Sequence, residues 1–164
     1  MRNLFHLRQG DPHALQGIRQ KYVKLICSLL PTADVQEVGS TAIAGMIGKQ
    51  DIDLQALVAQ GSFIAARALL DQHFRRDEQQ LSSDIYQAYH LDGDQNVSIQ
   101  LTVKSGPHDV FLAFLNILRS DAYVREQYAN LKKRYDGRSM DEYRHAKQEF
   151  ITNVLAASDS KLTS

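Results

Sequence analysis

Apolar residues near the start of the chain recur with a helical period: Leu15, Ile18, Tyr22, Leu25, Ile26 and Leu29 fall on one helix face. Asp11 as cap and Pro12 at the first helical position give this helix a start, and Pro31 gives it an end. A short stretch, Val35–Val38, predicts a strand running into Gly39-Ser40-Thr41, and the apolar-rich Asp51–Val58 predicts a central strand. Gly61-Ser62 opens a second helix, with Phe63, Ala66, Leu69 and Leu70 on one face. Asp84–Leu91 and Asn96–Lys104 read as two strands joined through Asp92-Gly93-Asp94-Gln95, a hairpin composition. After the break at Ser105-Gly106-Pro107 the period is helical again, over Val110–Arg119, Tyr123–Tyr135 and a helix from Ser139. Ser139 and Glu142 form a capping box for that last helix, whose apolar stripe is Tyr143, Ala146, Phe150, Ile151 and Val154.

This order predicts an α/β fold of the α+β type: a small mixed sheet with helices packed on one side and a C-terminal helical subdomain. The chain of 164 residues suits one domain, over residues 1–157, with a frayed tail at 158–164. The N-terminal half is expected to hold the chemistry and the C-terminal half to close over it.

Composition narrows the partners. Nineteen basic residues balance nineteen acidic ones, so the net charge gives no support for binding duplex nucleic acid, which needs many phosphate contacts from a basic face. No apolar run reaches membrane-spanning length and the first residues lack a secretory apolar core, so the expected location is cytoplasmic, away from membranes. Cys27, the lone cysteine, sits among apolar neighbours and reads as a small buried hydrophobe in a reducing compartment. The six histidines lack zinc-ligand spacing.

The chemistry concentrates in two short segments. In Asp51-Ile52-Asp53-Leu54, strand alternation turns both carboxylates to one face and Ile52 and Leu54 to the core. Carboxylates two strand positions apart lie roughly 6.5 Å apart along the chain. At an effective dielectric near 20 they repel by about 2.5 kcal/mol. A divalent cation offsets that repulsion, and hard oxygen ligands suit Mg²⁺ or Mn²⁺; Lys49 at the strand's start is a weaker counter-charge. In Val38-Gly39-Ser40, glycine lets the backbone turn tightly and bring N–H groups against an anion, and the serine hydroxyl adds a donor. Alone, each segment also reads as something plainer: a solvent-facing acidic pair, and an ordinary turn.

Taken together, a hydrophobic residue, Gly-Ser, ten residues and Asp-hydrophobic-Asp-hydrophobic resemble the pattern of the nucleotidyltransferase superfamily. The longer string, Gly39-Ser40-Thr41-Ala42-Ile43-Ala44-Gly45-Met46 followed by Lys49-Gln50-Asp51-Ile52-Asp53-Leu54, resembles the signature of the GrpB-like family. Phe114 through Leu118-Arg119, Tyr128-x-x-Leu131-Lys132 and Tyr143-x-x-x-Lys147-x-x-Phe150-Ile151 are similar to later stretches of that family. The resemblance implies a nucleotidyltransferase-like fold. It also implies a nucleoside triphosphate held by Gly39, Ser40, Thr41, Lys49, Lys132 and Lys147, with Asp51 and Asp53 as catalytic metal ligands. An acceptor of unspecified kind would receive the nucleotidyl group.

The chain departs from that family at several positions. Ala44 stands for a usual Pro, Gln50 for Pro or Gly, Leu115-Asn116 for Arg-Asp, and Gln100 and Thr102 for a His-x-His strand. Superfamily enzymes add a third carboxylate from a later strand, whereas Asn96–Lys104 contains no acid, and Asp84 and Asp94 only flank the hairpin. The alternative expectation is therefore a catalytically degenerate nucleotide-binding or regulatory module linked to nucleotide or coenzyme A metabolism. A plain protein-interaction domain is the third. For Lys132 and Lys147, solvated helix faces are the plain alternative to phosphate binding, with Tyr128 and Tyr143 as half-buried core.

Overall fold

A computed structural model describes residues 3–8, 12–43, 45–91 and 97–162. The Asp11 cap, Ala44 and the turn Asp92–Gln95 with Asp94 lie outside the described residues. Five helices and five strands are formed among the described residues: α1 (Pro12–Leu29), β1 (Asp34–Val38), β2 (Ile52–Val58), α2 (Phe63–Leu70), β3 (Arg75–Arg76), β4 (Tyr86–His90), β5 (Val97–Val103), α3 (Phe111–Ser120), α4 (Ala122–Tyr135) and α5 (Met140–Leu162).

The sheet is mixed, as the element order implies, with strands arranged β1-β2-β5-β4-β3. β2 pairs antiparallel with β1 and parallel with β5, so it is a central strand with neighbours on both sides. β4 runs antiparallel to β5 and to β3. Alternation along β2 and β5 sends Ile52, Leu54, Ala56 and Val58, with Val97, Ile99, Leu101 and Val103, to one face, all of them buried. Tyr22 and Ile26 of α1 and Phe63, Ala66 and Leu70 of α2 cover that face and complete the main core. Burying a single Leu- or Ile-sized side chain contributes roughly 1.5–3 kcal/mol, so this two-layer contact dominates the fold's stability.

The C-terminal helices build a second core of Phe114, Leu118, Tyr128 and Ile151, onto which Ile43 and Met46 of the β1–β2 connection pack. The helical layer thus sits on the loop that follows Gly39. A third small cluster stacks Phe5 on Tyr143, with ring centroids 3.7 Å apart, and adds Met140. The N-terminal segment that carries Phe5 is tied on both sides. Phe5 N–H donates to Arg138 O at 2.8 Å and Arg8 N–H donates to Gly48 O at 2.9 Å.

Four details differ from the sequence reading. Cys27 is exposed, because the neighbouring Ile26 takes the inward position and one residue further round the helix faces solvent. The two-residue strand β3 is additional; it exists through pairing with Tyr89 and His90 rather than through any apolar pattern of its own. β2 starts at Ile52, so Asp51 stands just ahead of the strand. Finally, α5 continues through residues 158–161 to Leu162 where a frayed tail was expected, since no glycine or proline interrupts Ser158–Leu162.

Candidate functional site

Gly39 leaves β1 with φ +81°, the left-handed region that glycine enters without penalty. Ser40 opens a short 3₁₀ turn, Ser40–Ala42. The register places Val38 opposite Asp53 on β2, so the turn begins beside that carboxylate. The approach is close: a Cβ added to Gly39 would lie 2.4 Å from Asp53 Oδ2. Glycine is required here twice, for its backbone conformation and for the space its missing side chain leaves.

Asp53 is half-buried on the sheet face opposite the main core. The parallel pairing of β2 and β5 puts Ser98 beside it, and Ser98 Oγ donates to Asp53 Oδ1 at 2.7 Å. Burial pushes the Asp53 carboxyl above its ordinary range, against the opposing pull of the Lys147 ammonium and the Ser98 hydrogen bond; the Asp51 charge pushes it further up. The protein thus holds a carboxylate that is kept from water, with the Lys147 and Lys49 charges only partly offsetting that burial. Asp51, partly exposed, pairs with Lys49 at Nζ–Oδ2 2.9 Å. Among the described residues Asp53 accepts one side-chain hydrogen bond, from Ser98, and carboxylate oxygens of this kind are the hard donors that a divalent cation takes.

Thr41 does something other than face an anion. Its Oγ1 lies 2.9 Å from Glu37 Oε1 and 2.8 Å from the Asp51 carbonyl oxygen. A hydroxyl has one proton, and both neighbours are acceptors, so none remains for a phosphate oxygen. Lys132 is also placed differently from a solvated or phosphate-facing lysine. It is 1% exposed, its Nζ donates to Ile47 O at 2.8 Å, and it stands 4.3 Å from the Tyr128 ring centroid. Burial, helped by the nearby Lys147 charge, lowers its pKa to about 7, more than the Asp53 charge restores.

Lys147 on α5 is half-buried and lines a cleft beside Gly39 with Phe111, Phe114, Leu115, Leu118, Tyr128 and Ile151. The cleft is apolar apart from the Lys147 ammonium and the Tyr128 phenol. Tyr128 and Tyr143 are buried rather than half-buried. The structure therefore brings Gly39, Asp51, Asp53 and Lys147 to one place, together with Lys49 through its pair with Asp51. It directs Lys132 Nζ to the Ile47 carbonyl, and Thr41 Oγ1 to the Glu37 carboxylate and the Asp51 carbonyl. No group of three or more His, Cys, Asp or Glu side chains with metal-binding placement exists among the described residues. In particular, the β5 positions facing Asp53 and Gln55 are Ser98 and Gln100. Ser98 is a site residue that reading the sequence missed, and only strand register reveals it.

With this geometry established, comparison with known proteins assigns the chain. The family described as GrpB protein matches residues 12–157. The chain belongs to the GrpB family. A UPF0157 protein of Vibrio cholerae is 26% identical over 141 residues, covering 85% of this chain and 75% of the relative. The crystal structure of the conserved protein GrpB from Enterococcus faecalis superposes with a TM-score of 0.71 at 19% identity, over 96% of this chain and 99% of that one. A structure of Cid1, described as having RNA terminal uridylyl transferase activity, is similar in fold with a TM-score of 0.50 at 14% identity. That match covers 76% of this chain and 40% of Cid1. The GrpB fold here is accordingly nucleotidyltransferase-like. No helix among the described residues is long and apolar enough to cross a membrane.

Proposed function

We propose that this GrpB protein binds a nucleoside triphosphate together with Mg²⁺ or Mn²⁺ and transfers its nucleotidyl group to an acceptor hydroxyl or amine. The observation that carries the reading is the contact between the Gly39 turn and the Asp53 carboxylate, fixed by the Val38–Asp53 register. A glycine turn beside a carboxylate held away from water is the arrangement a metal–phosphate group would bridge.

In this reading Asp51 and Asp53 hold the metal. The Gly39-Ser40 backbone and Lys147 receive the phosphates, with Lys147 providing charge from the helical layer. When bound, the metal neutralises phosphate charge as it builds up during transfer. The acceptor oxygen or nitrogen attacks the α-phosphorus, the bond to the bridging oxygen breaks, pyrophosphate leaves, and the acceptor's proton passes to solvent. The protein's own contribution is placement and electrostatics.

Ser98 opposite Asp53 favours a second reading, in which nucleotide is bound without transfer, because a hydroxyl cannot take an acceptor's proton as a third carboxylate would. Calorimetry of ATP, GTP, CTP and UTP with Mn²⁺ tests the shared premise. Binding that disappears in Asp53→Asn supports it, and no binding of any triphosphate rejects it. Release of pyrophosphate across a panel of hydroxyl and amine acceptors then separates transfer from binding alone.

A further inference from the structure

From the hydrogen bonds around Glu37 we infer that Arg19, Glu37 and Thr41 form a positioning relay that sets the distance between the Gly39-Ser40 turn and the two aspartates. The inference rests on the nucleotide reading for its consequence, and on geometry alone for its existence. It assigns Thr41 a role different from ligand contact and brings in two residues on which no motif falls.

The relay begins on α1. Arg19 Nη2 donates to Glu37 Oε1 at 3.1 Å, and Arg19 Nε forms an ion pair with Glu37 Oε2. The guanidinium thus meets one carboxylate oxygen through a hydrogen bond and the other through charge alone, which holds the Glu37 carboxylate against α1. The Glu37 side chain is only 13% exposed, so the pair is shielded from the screening that weakens surface ion pairs. Glu37 lies opposite Leu54 in the β1–β2 register, which turns its carboxylate to the α1 side of the sheet, away from Asp53.

The same Oε1 meets Thr41 Oγ1 at 2.9 Å, and Thr41 Oγ1 also lies 2.8 Å from the Asp51 carbonyl. Thr41 belongs to the 3₁₀ turn that Ser40 opens, and the Asp51 carbonyl immediately precedes β2. The Thr41 hydroxyl therefore stands within hydrogen-bond reach of strand β1 and of the peptide between the aspartates, and its single proton is shared between those two acceptors. The backbone bond across the turn, Ala42 N–H to Gly39 O, is long at 3.4 Å. Just before Asp51, Gln50 sits at φ +64°, a conformation that a non-glycine residue adopts only when its surroundings impose it. The Thr41 bond to the Asp51 carbonyl is one such constraint.

The test compares Thr41→Val, which keeps the shape and removes the hydroxyl, with Thr41→Ser, which keeps the hydroxyl. Mn²⁺–ATP affinity is measured by calorimetry. Backbone amide exchange over residues 39–42 and 51–53 is followed in the same proteins without ligand. The expected result is that Thr41→Ser binds within about twofold of wild type and Thr41→Val at least about tenfold more weakly. Glu37→Gln should fall in the direction of Thr41→Val. Exchange should accelerate in those two segments in Thr41→Val and not in Thr41→Ser, with the rest of the sheet unchanged. Wild-type affinity in Thr41→Val, or equal weakening in Thr41→Ser, overturns the relay. If the wild-type protein takes up no Mn²⁺–ATP, the nucleotide reading falls instead. The relay is then decided by exchange: local acceleration in Thr41→Val upholds it, and unchanged or uniformly faster exchange rejects it.

Discussion

Gly39 and Asp53 share a space that admits one of two things, a Cβ or a carboxylate oxygen. The position of a Cβ on Gly39 falls 2.4 Å from Asp53 Oδ2 and 3.3 Å from its Cγ. The two residues are brought there by backbone pairing, since Val38 is the register partner of Asp53 and Gly39 is the next residue along. The turn and the carboxylate consequently behave as one unit, and substitutions at either should be read at both.

Gly39→Ala is expected to lower stability and to displace Asp53 together. A non-glycine residue in the left-handed region costs about 1–2 kcal/mol, and the clash with Oδ2 adds to it. Chemical denaturation should therefore show a loss above the backbone penalty alone, with Mn²⁺–ATP binding abolished in the variant that remains folded. A Gly39→Ala protein with unchanged affinity would break the link between turn and carboxylate.

Asp53→Asn is expected to raise the thermal midpoint of the metal-free protein while removing its response to Mn²⁺. Burial holds the Asp53 pKa above its value of 3.8 in the unfolded chain. The sign follows from proton counts: above 3.8 the folded protein holds this proton more tightly than the unfolded chain. Metal-free stability therefore falls as pH rises through the folded pKa. An amide avoids that loss and can still accept from Ser98. About 1 kcal/mol moves the midpoint of a domain of this size by roughly 2–4 °C, which scanning calorimetry resolves. A lower midpoint in the variant at neutral pH would contradict the assignment.

Lys132→Met is expected to flatten part of the pH dependence of folding. Burial sets the folded pKa of Lys132 at about 7 against 10.5 unfolded. Between those values the unfolded chain binds a proton that the folded protein has released, so this lysine makes stability rise with pH across that window. The slope is at most about 1.4 kcal/mol per pH unit. Urea unfolding at pH 6, 7.5 and 9 should show wild type gaining on Lys132→Met over the upper interval, with little relative change below pH 7. Parallel curves would mean that the ammonium is charged in the folded protein at all three values.

Much of the fold was legible because its signals are local. The apolar periods of α1, α3, α4 and α5 and the alternation in β2 and β5 come from positions a few residues apart, and all of those elements form. Cys27 was misplaced because apolar neighbours do not fix helix phase; Ile26 won the inward position through packing. β3 carried no pattern, being two exposed arginines recruited by the edge of β4.

The sequence by itself determined that a glycine turn ends one strand, that two carboxylates stand at the head of the next, and that ten residues separate them. Those are consequences of chain connectivity and backbone sterics, which any local reading can follow. Tertiary structure alone decided the partners: Ser98 reaches Asp53 from 45 residues away, and Lys132 reaches the Ile47 carbonyl from 85. It also gave the Thr41 hydroxyl to Glu37 and Asp51. Each of these outcomes depends on strand register and on how helices settle against a loop. Hydrogen-bonding groups take whatever partner packing brings within about 3 Å, and residue type alone does not specify that partner.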